Sequence, residues 1–372
     1  MDYPNPIIFV HGIQGAWLKN QYPVDYQDEI YWTGIFRKQF RKIHLSHIDS
    51  MVDRDIEKFI FPHQAIAFIY ESIVEELRQE VTEHTYIFTY DWRKDNRYSA
   101  KKLGDFVKLV LRKTRTHTKG EKGRVPQKFS LIGHSMGGLV IKWYVLQILK
   151  KKRAEKVIDK IITIATPYRG SLKAVEALIP GARKFFGFDA QKAMREAART
   201  LPGTYQLLPS WTNPVIDKYS GNNLSIFKKA TWQENVIEKL DKKYGPEFLQ
   251  KMLADAKDFT DVVKKDYDDK IRKKFYCIYG TGSDTLKQVK VDTKSNNRFD
   301  FAGAKEDKEG DGTVHKLSSY VKAAKNIKDK KKLLDGSLGG QHAQMPNHDS
   351  VQDYIVKLFT KIKYLKSFES KI

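Results

Sequence analysis

Apolar positions along the chain fall into two alternating rhythms. Short runs in which nearly every residue is apolar occur at Asn5 to Val10 (NPIIFV), Tyr86 to Tyr90, Phe129 to Ile132, Ile158 to Ala165 (IDKIITIA) and Phe275 to Tyr279 (FYCIY). Runs of this length and composition predict strands buried on both faces of a parallel sheet. Between them, apolar residues recur at helical spacing: Ile66, Ile69, Ile73, Leu77 and Val81, then Leu103, Phe106, Val107, Val110 and Leu111 behind an expected N-cap at Ser99. The stretch after Ser135 is apolar nearly all round, as suits a helix packed against a sheet. A last amphipathic helix is expected over Val351 to Ile362. Strand and helix in alternation imply an α/β fold with right-handed crossovers.

Two stretches break the rhythm. Ala16 to Phe61 is aromatic-rich and poorly periodic, with Trp17, Tyr22, Tyr26, Tyr31 and Trp32; it predicts a functional loop over the site or short helices. From Ser171 to about Lys274 a cluster of Val175, Leu178, Ile179, Phe185, Phe186 and Phe188 precedes charged helices bearing Leu240, Phe248, Met252, Phe259 and Val263. This predicts a cap over 171–274, inserted into a core formed by 1–170 and 275–372.

The chemistry concentrates where strands end. Gly133-His134-Ser135-Met136-Gly137 fits G-x-S-x-G between strand and helix, the context of a nucleophile elbow. A serine on so sharp a turn has strained backbone, and larger flanking side chains would strike neighbouring chain. His11-Gly12-Ile13-Gln14-Gly15 follows the first strand; a glycine-bearing loop there can aim an amide of Ile13, or alternatively Gln14, at a substrate oxygen, beside that of Met136. A base and an acid must complete such a site. His342 and His348 are the candidates for the first, Asp284 and Asp311 for the second, and the order Ser, Asp, His suits such hydrolases.

Composition narrows the classes. The 372 residues contain one cysteine, Cys277, so no internal disulfide forms. The ten histidines show no H-E-x-x-H or Cys/His cluster, so neither a metal nor another cofactor is expected. A net charge of +22 invites a nucleic-acid reading, but the 67 basic residues are interspersed with 45 acids and carry no zinc-finger or RNA-binding signature. No nucleic-acid partner is expected, while attraction to an anionic membrane surface stays open. No apolar run reaches membrane-span length, and no signal peptide is visible ahead of the strand at Ile7. The expectation is a cytoplasmic protein, with peripheral membrane association open.

FVHGIQG, YDWR, GHSMGG, TIATPYRGS, YQLLP, YGTG, GDGTV and GGQHAQMPN together resemble the lecithin:cholesterol acyltransferase-type branch of the α/β-hydrolase lipases. Short bacterial lipases share HG-x-x-G, GHSMGG and a DG-x-V segment. The resemblance implies Ser135 as nucleophile, Asp311 as triad acid and His342, in Gln341-His342, as base. It sets His348 and Asp284 aside. The disulfides of secreted animal members are absent, and Ala16–Phe61 and the cap match poorly. The expected activity is ester hydrolysis through an acyl-enzyme, on an ester or lipid substrate. The alternatives are acyl transfer to an alcohol and a catalytically silent lipid-binding homologue. Trp17, Phe185 and Phe186 are the expected substrate contacts. The last two, among Lys173, Arg183 and Lys184, suit a lid that meets lipid.

Overall fold

The structure is a computed structural model that describes residues 4–20, 30–33, 43–45, 60–117, 126–180, 188–296, 298–319 and 342–369. In chain order, β1 (Ile7–Val10) leads to a small antiparallel sheet of β2 (Ala16–Asn20), β3 (Ile30–Trp32) and β4 (Ile60–Ala65), with β2 in the middle. Helix α1 (Ala67–Glu80), β5 (Thr85–Phe88), α2 (Asn96–His117), β6 (Phe129–His134), α3 (Met136–Trp143) and β7 (Ile158–Ile164) follow. Then come α4 (Leu172–Leu178), α5 (Phe188–Ala198), β8 (Val215–Asp217), α6 (Glu234–Tyr244) and α7 (Phe248–Val263). The chain returns through β9 (Phe275–Ile278), β10 (Ser283–Val291), β11 (Phe299–Gly310) and α8 (Asp349–Glu369).

The central sheet has the order β5-β1-β6-β7-β9, and every neighbouring pair is parallel. Its strands lack a polar face because both faces are covered. In β1, Ile8 and Val10 pack with Leu103, Val107, Leu139 and Val140 from α2 and α3. Ile7 and Phe9 point the other way, into Tyr70, Ile73, Val74 and Leu77 of α1 and Val351 and Ile355 of α8. Each such aliphatic side chain contributes about 1.5–3 kcal/mol by leaving water.

The structure departs from the sequence reading in two places. Within Ala16–Phe61, residues 16–20, 30–32 and 60–61 form strands rather than helices, while 43–45 lie outside any strand and Ile43 lines a cavity. Ala16 and Leu18 are buried and alternate with less buried neighbours, a period too short to stand out from sequence. Pro62 lies in β4, and α1 starts at Ala67. Likewise Ser99 is not a cap. Helix α2 begins three residues earlier, where the Asp95 carboxylate accepts the Arg97 amide at 2.7 Å.

Between β7 and β9 lie α4 to α7 and β8, and β8 pairs in parallel with β10. Ser171 Oγ donates to the Thr313 carbonyl at 2.5 Å and Ser318 Oγ to that of Gly170 at 2.5 Å. The loop after β7 is thus stitched to the loop carrying Asp311.

Candidate active site

Ser135 stands between β6 and α3 with φ +52° and ψ −126°, a left-handed conformation that costs a non-glycine residue of order 1–3 kcal/mol. Neighbouring chain holds it there: its amide donates to the Ile164 carbonyl at 2.8 Å. The glycines around it answer close backbone approach. A Cβ on Gly137 would collide with the carbonyl oxygens of Val10 and His11, and one on Gly138 with the Thr166 side chain. One on Gly12 would come within 2.9 Å of the Ser135 Cβ.

The structure brings three of the expected residues into one run. Ser135 Oγ lies 2.8 Å from His342 Nε2, and His342 Nδ1 lies 2.8 Å from Asp311 Oδ2. Asp311 is 1% exposed, and a buried carboxylate needs partners for its lone pairs. Its Oδ1 accepts the amides of Thr313 at 3.0 Å and Val314 at 2.7 Å, which fixes the carboxylate plane. An ionised Asp311 accepts from Nδ1–H, leaving Nε2 free to accept the serine proton. The His342 amide also donates to the Asp311 carbonyl at 3.1 Å, so the two residues are joined through backbone and side chain.

The other expected residues divide. Ile13 and Gln14 line the cavity above Ser135. Gln14 has φ +60°, and its carbonyl accepts Trp32 Nε1–H at 3.2 Å. Met136 is the first residue of α3, where amides have no intrahelical acceptor and the helix dipole favours negative charge. Asp284 is exposed on β10, and His348 stands at the start of α8, where Nδ1 accepts the Ser350 amide at 3.3 Å. Trp17 is half-buried on β2 and is not among the residues described around the cavity. Phe185, Phe186 and Gln341 lie outside the described residues, as do Arg183 and Lys184.

The cavity has a volume of about 200 Å³. Ser135 and His342 line it together with small or flexible apolar residues, Ala174, Ala177, Met194, Ala197, Ala198 and Leu201, and with aromatic and polar side chains such as Trp92 and Thr204. The alanines matter because each leaves room a larger side chain would fill. Lys173 also reaches the lining, with its Nζ 2.8 Å from Glu176.

Residues that the motifs did not single out also crowd the site. The ring of His11 bonds Gly12, and Tyr70 and His134 lie beside Ser135. Burial pulls the His11 imidazole down to about 4, keeping it neutral. A histidine at the variable position of the elbow and a tyrosine on the buried face of α1 were the only sequence signals available.

Residues 64–270, more than half of the chain, match the family model described as Lecithin:cholesterol acyltransferase. An alignment 238 positions long, covering 55% of the chain, is 25% identical to "Lecithin-cholesterol acyltransferase-like 4" of Arabidopsis thaliana and covers 43% of that relative. Another, 158 positions long and covering 41% of the chain, is 29% identical to "Phospholipase A(1) LCAT3" of Arabidopsis thaliana and covers 32% of it. The chain therefore spans less than half the length of either relative. A chain from "The crystal structure of Tle4-Tli4 complex" superposes with a TM-score of 0.62 over 98% of this chain and 99% of that one, at 14% identity, a likeness of fold.

Proposed function

The chain belongs to the lecithin:cholesterol acyltransferase family of α/β-hydrolase enzymes, and on that premise we propose that it is a serine carboxylic-ester hydrolase of lipase or phospholipase type. The hydrogen-bonded run from Ser135 through His342 to Asp311, on the wall of an apolar cavity, is the observation that carries this reading.

His342 Nε2 takes the proton as Ser135 Oγ attacks the ester carbonyl carbon, and Asp311 stabilises the imidazolium that forms. Negative charge on the carbonyl oxygen meets the amides of Met136 and of Ile13 or Gln14, each donor worth roughly 3 kcal/mol. Collapse breaks the ester C–O bond, the alcohol leaves with the proton from His342, and the acyl group remains on Oγ. Water, deprotonated by the same imidazole, then attacks the acyl-enzyme and releases acid and free serine. The apolar lining suits an aliphatic acyl chain. In this reading residues 171–274 act as a cap, supplying the cavity walls from α4 and α5 over a core of 1–170 and 275–372.

A second reading, transfer of the acyl group to an alcohol, is favoured by the family match and by the name of one plant relative. It shares every step up to the acyl-enzyme. An ester assay with and without a long-chain alcohol separates the two: acid alone means hydrolysis, and a new ester means transfer. Ser135→Ala is expected to abolish either activity with little change in melting temperature, and a fluorophosphonate probe to label Ser135 alone. Near-normal turnover by the purified variant would refute the serine mechanism.

A further inference from the structure

His134 and Tyr70 are both buried, and no step of the proposed reaction uses them. Their hydrogen bonds can run in only one direction. His134 Nε2 lies 3.0 Å from the His342 carbonyl oxygen, which can only accept, so Nε2 carries the proton. The other nitrogen of a neutral imidazole must then accept, and Nδ1 lies 2.9 Å from the Tyr70 hydroxyl, which donates to it. The Tyr70 oxygen in turn accepts the Gly12 amide at 3.0 Å. Protonating His134 would turn Nδ1–H onto an oxygen that already receives Gly12 N–H. Burial, and then the neighbouring His342, hold this imidazole well below its usual value.

We propose that Tyr70 and His134 are positioning residues: one buried chain, from Gly12 N–H through Tyr70 and His134 to the His342 carbonyl, sets the oxyanion loop and the general base against each other. Both ends of the chain meet groups held from the other side. The Gly12 carbonyl accepts His11 Nδ1–H at 2.7 Å and the Gly15 amide at 3.2 Å, so both backbone polar atoms of Gly12, the residue before Ile13, are committed. The His342 amide is bound to the Asp311 carbonyl, so its backbone too is held at both ends. Because both nitrogens of His134 are occupied, it is not a reserve base for Ser135.

The inference rests on the Ser135–His342–Asp311 reading. An error of about 1 Å in such a constellation costs on the order of a hundredfold in rate. The experiment measures kcat and KM for a soluble ester, with kcat normalised to active sites titrated by a fluorophosphonate. Tyr70→Phe and His134→Leu are expected to lower kcat per titrated site about ten- to hundredfold, with KM within about threefold. His134→Gln is expected to recover to within a few-fold of the parent, since its amide can accept from Tyr70 and donate to His342. The double variant is expected to be little worse than His134→Leu, because both changes cut the same chain. Lower melting temperatures with turnover per titrated site unchanged would overturn the proposal, leaving a purely structural tie. So would a His134→Gln enzyme as slow as the leucine variant. If His134→Leu does not fold, Tyr70→Phe and His134→Gln decide alone. Activity surviving in Ser135→Ala would instead overturn the serine reading itself.

Discussion

His342 is held by four hydrogen bonds, two from its ring and two from its backbone, whereas the His348 ring accepts one amide at a helix start. His342→Ala should therefore lower kcat by several orders of magnitude, as loss of a triad member does elsewhere. His348→Ala should cost at most about 1 kcal/mol of stability. The acids divide in the same way. Asparagine at 311 would turn an N–H donor toward His342 Nδ1 and leave the proton on Nε2, the nitrogen that must accept from Ser135; a loss of roughly 10⁴ in kcat is expected. Asp284→Asn, on an exposed strand position, should stay near the parent rate. Steady-state kinetics of the four variants test the assignment, and the opposite ranking within either pair would refute it. Ser135 stood out because its motif is local, whereas Asp311 and His342 were separated from Asp284 and His348 only by the family resemblance. Tyr70 and His134 did not stand out, because their meaning lies in contacts 64 and 208 residues apart along the chain.

Among the elements, α3 carries an unexpected residue on its buried side. Lys142 is 1% exposed, with Nζ 3.4 Å from the centroid of the Tyr267 ring and Tyr168 and Phe275 near 6 Å. The ring faces favour the ammonium, but burial dominates and pulls the lysine down to about 7. In the unfolded chain it holds its proton to about pH 10.4. Between these values the unfolded state binds more protons, so this group makes stability rise with pH. Below about 7 the full burial cost applies, and above about 10 it is gone. Lys142→Met should therefore raise the melting temperature relative to the parent most at pH 6 and least at pH 9. Paired melting curves test this, and a difference that is flat or grows with pH would contradict it. The lysine escaped the sequence reading because one polar residue in an apolar helix looks like a solvent-facing position. The central strands and long helices were readable, because an apolar run and a 3.6-residue period survive without tertiary context. The sheet of β2, β3 and β4 was not: β3 is three residues long, and β2, ending at Asn20, pairs with β4, which begins only at Ile60.

At the scale of the whole molecule, the proposed catalytic run and the walls of the cavity come from different layers. The sheet supplies the ends of β1 and β6, while α4 and α5 supply Ala174, Ala177, Ala197 and Ala198. If the acyl chain lies against these alanines, Ala177→Phe should lower kcat/KM for a long-chain p-nitrophenyl ester about tenfold or more while sparing the butyrate ester. An equal loss on both esters would place the chain elsewhere. The charge acts outside the cavity. No helix among the described residues is long and apolar enough to cross a membrane. If the protein acts at a lipid surface, a net charge of +22 would favour anionic lipid, each lysine or arginine near the surface adding about 1 kcal/mol. Exposed Phe68, next in sequence to the cavity residues Ile69 and Tyr70, offers an apolar contact at such a surface. The expected outcome is faster hydrolysis of esters dispersed in anionic than in zwitterionic vesicles. High salt should shrink that advantage, because the Debye length falls to about 3 Å at 1 M. Rates indifferent to vesicle charge, together with a preference for soluble short-chain esters, would refute interfacial action and assign the basic surface to solvation alone.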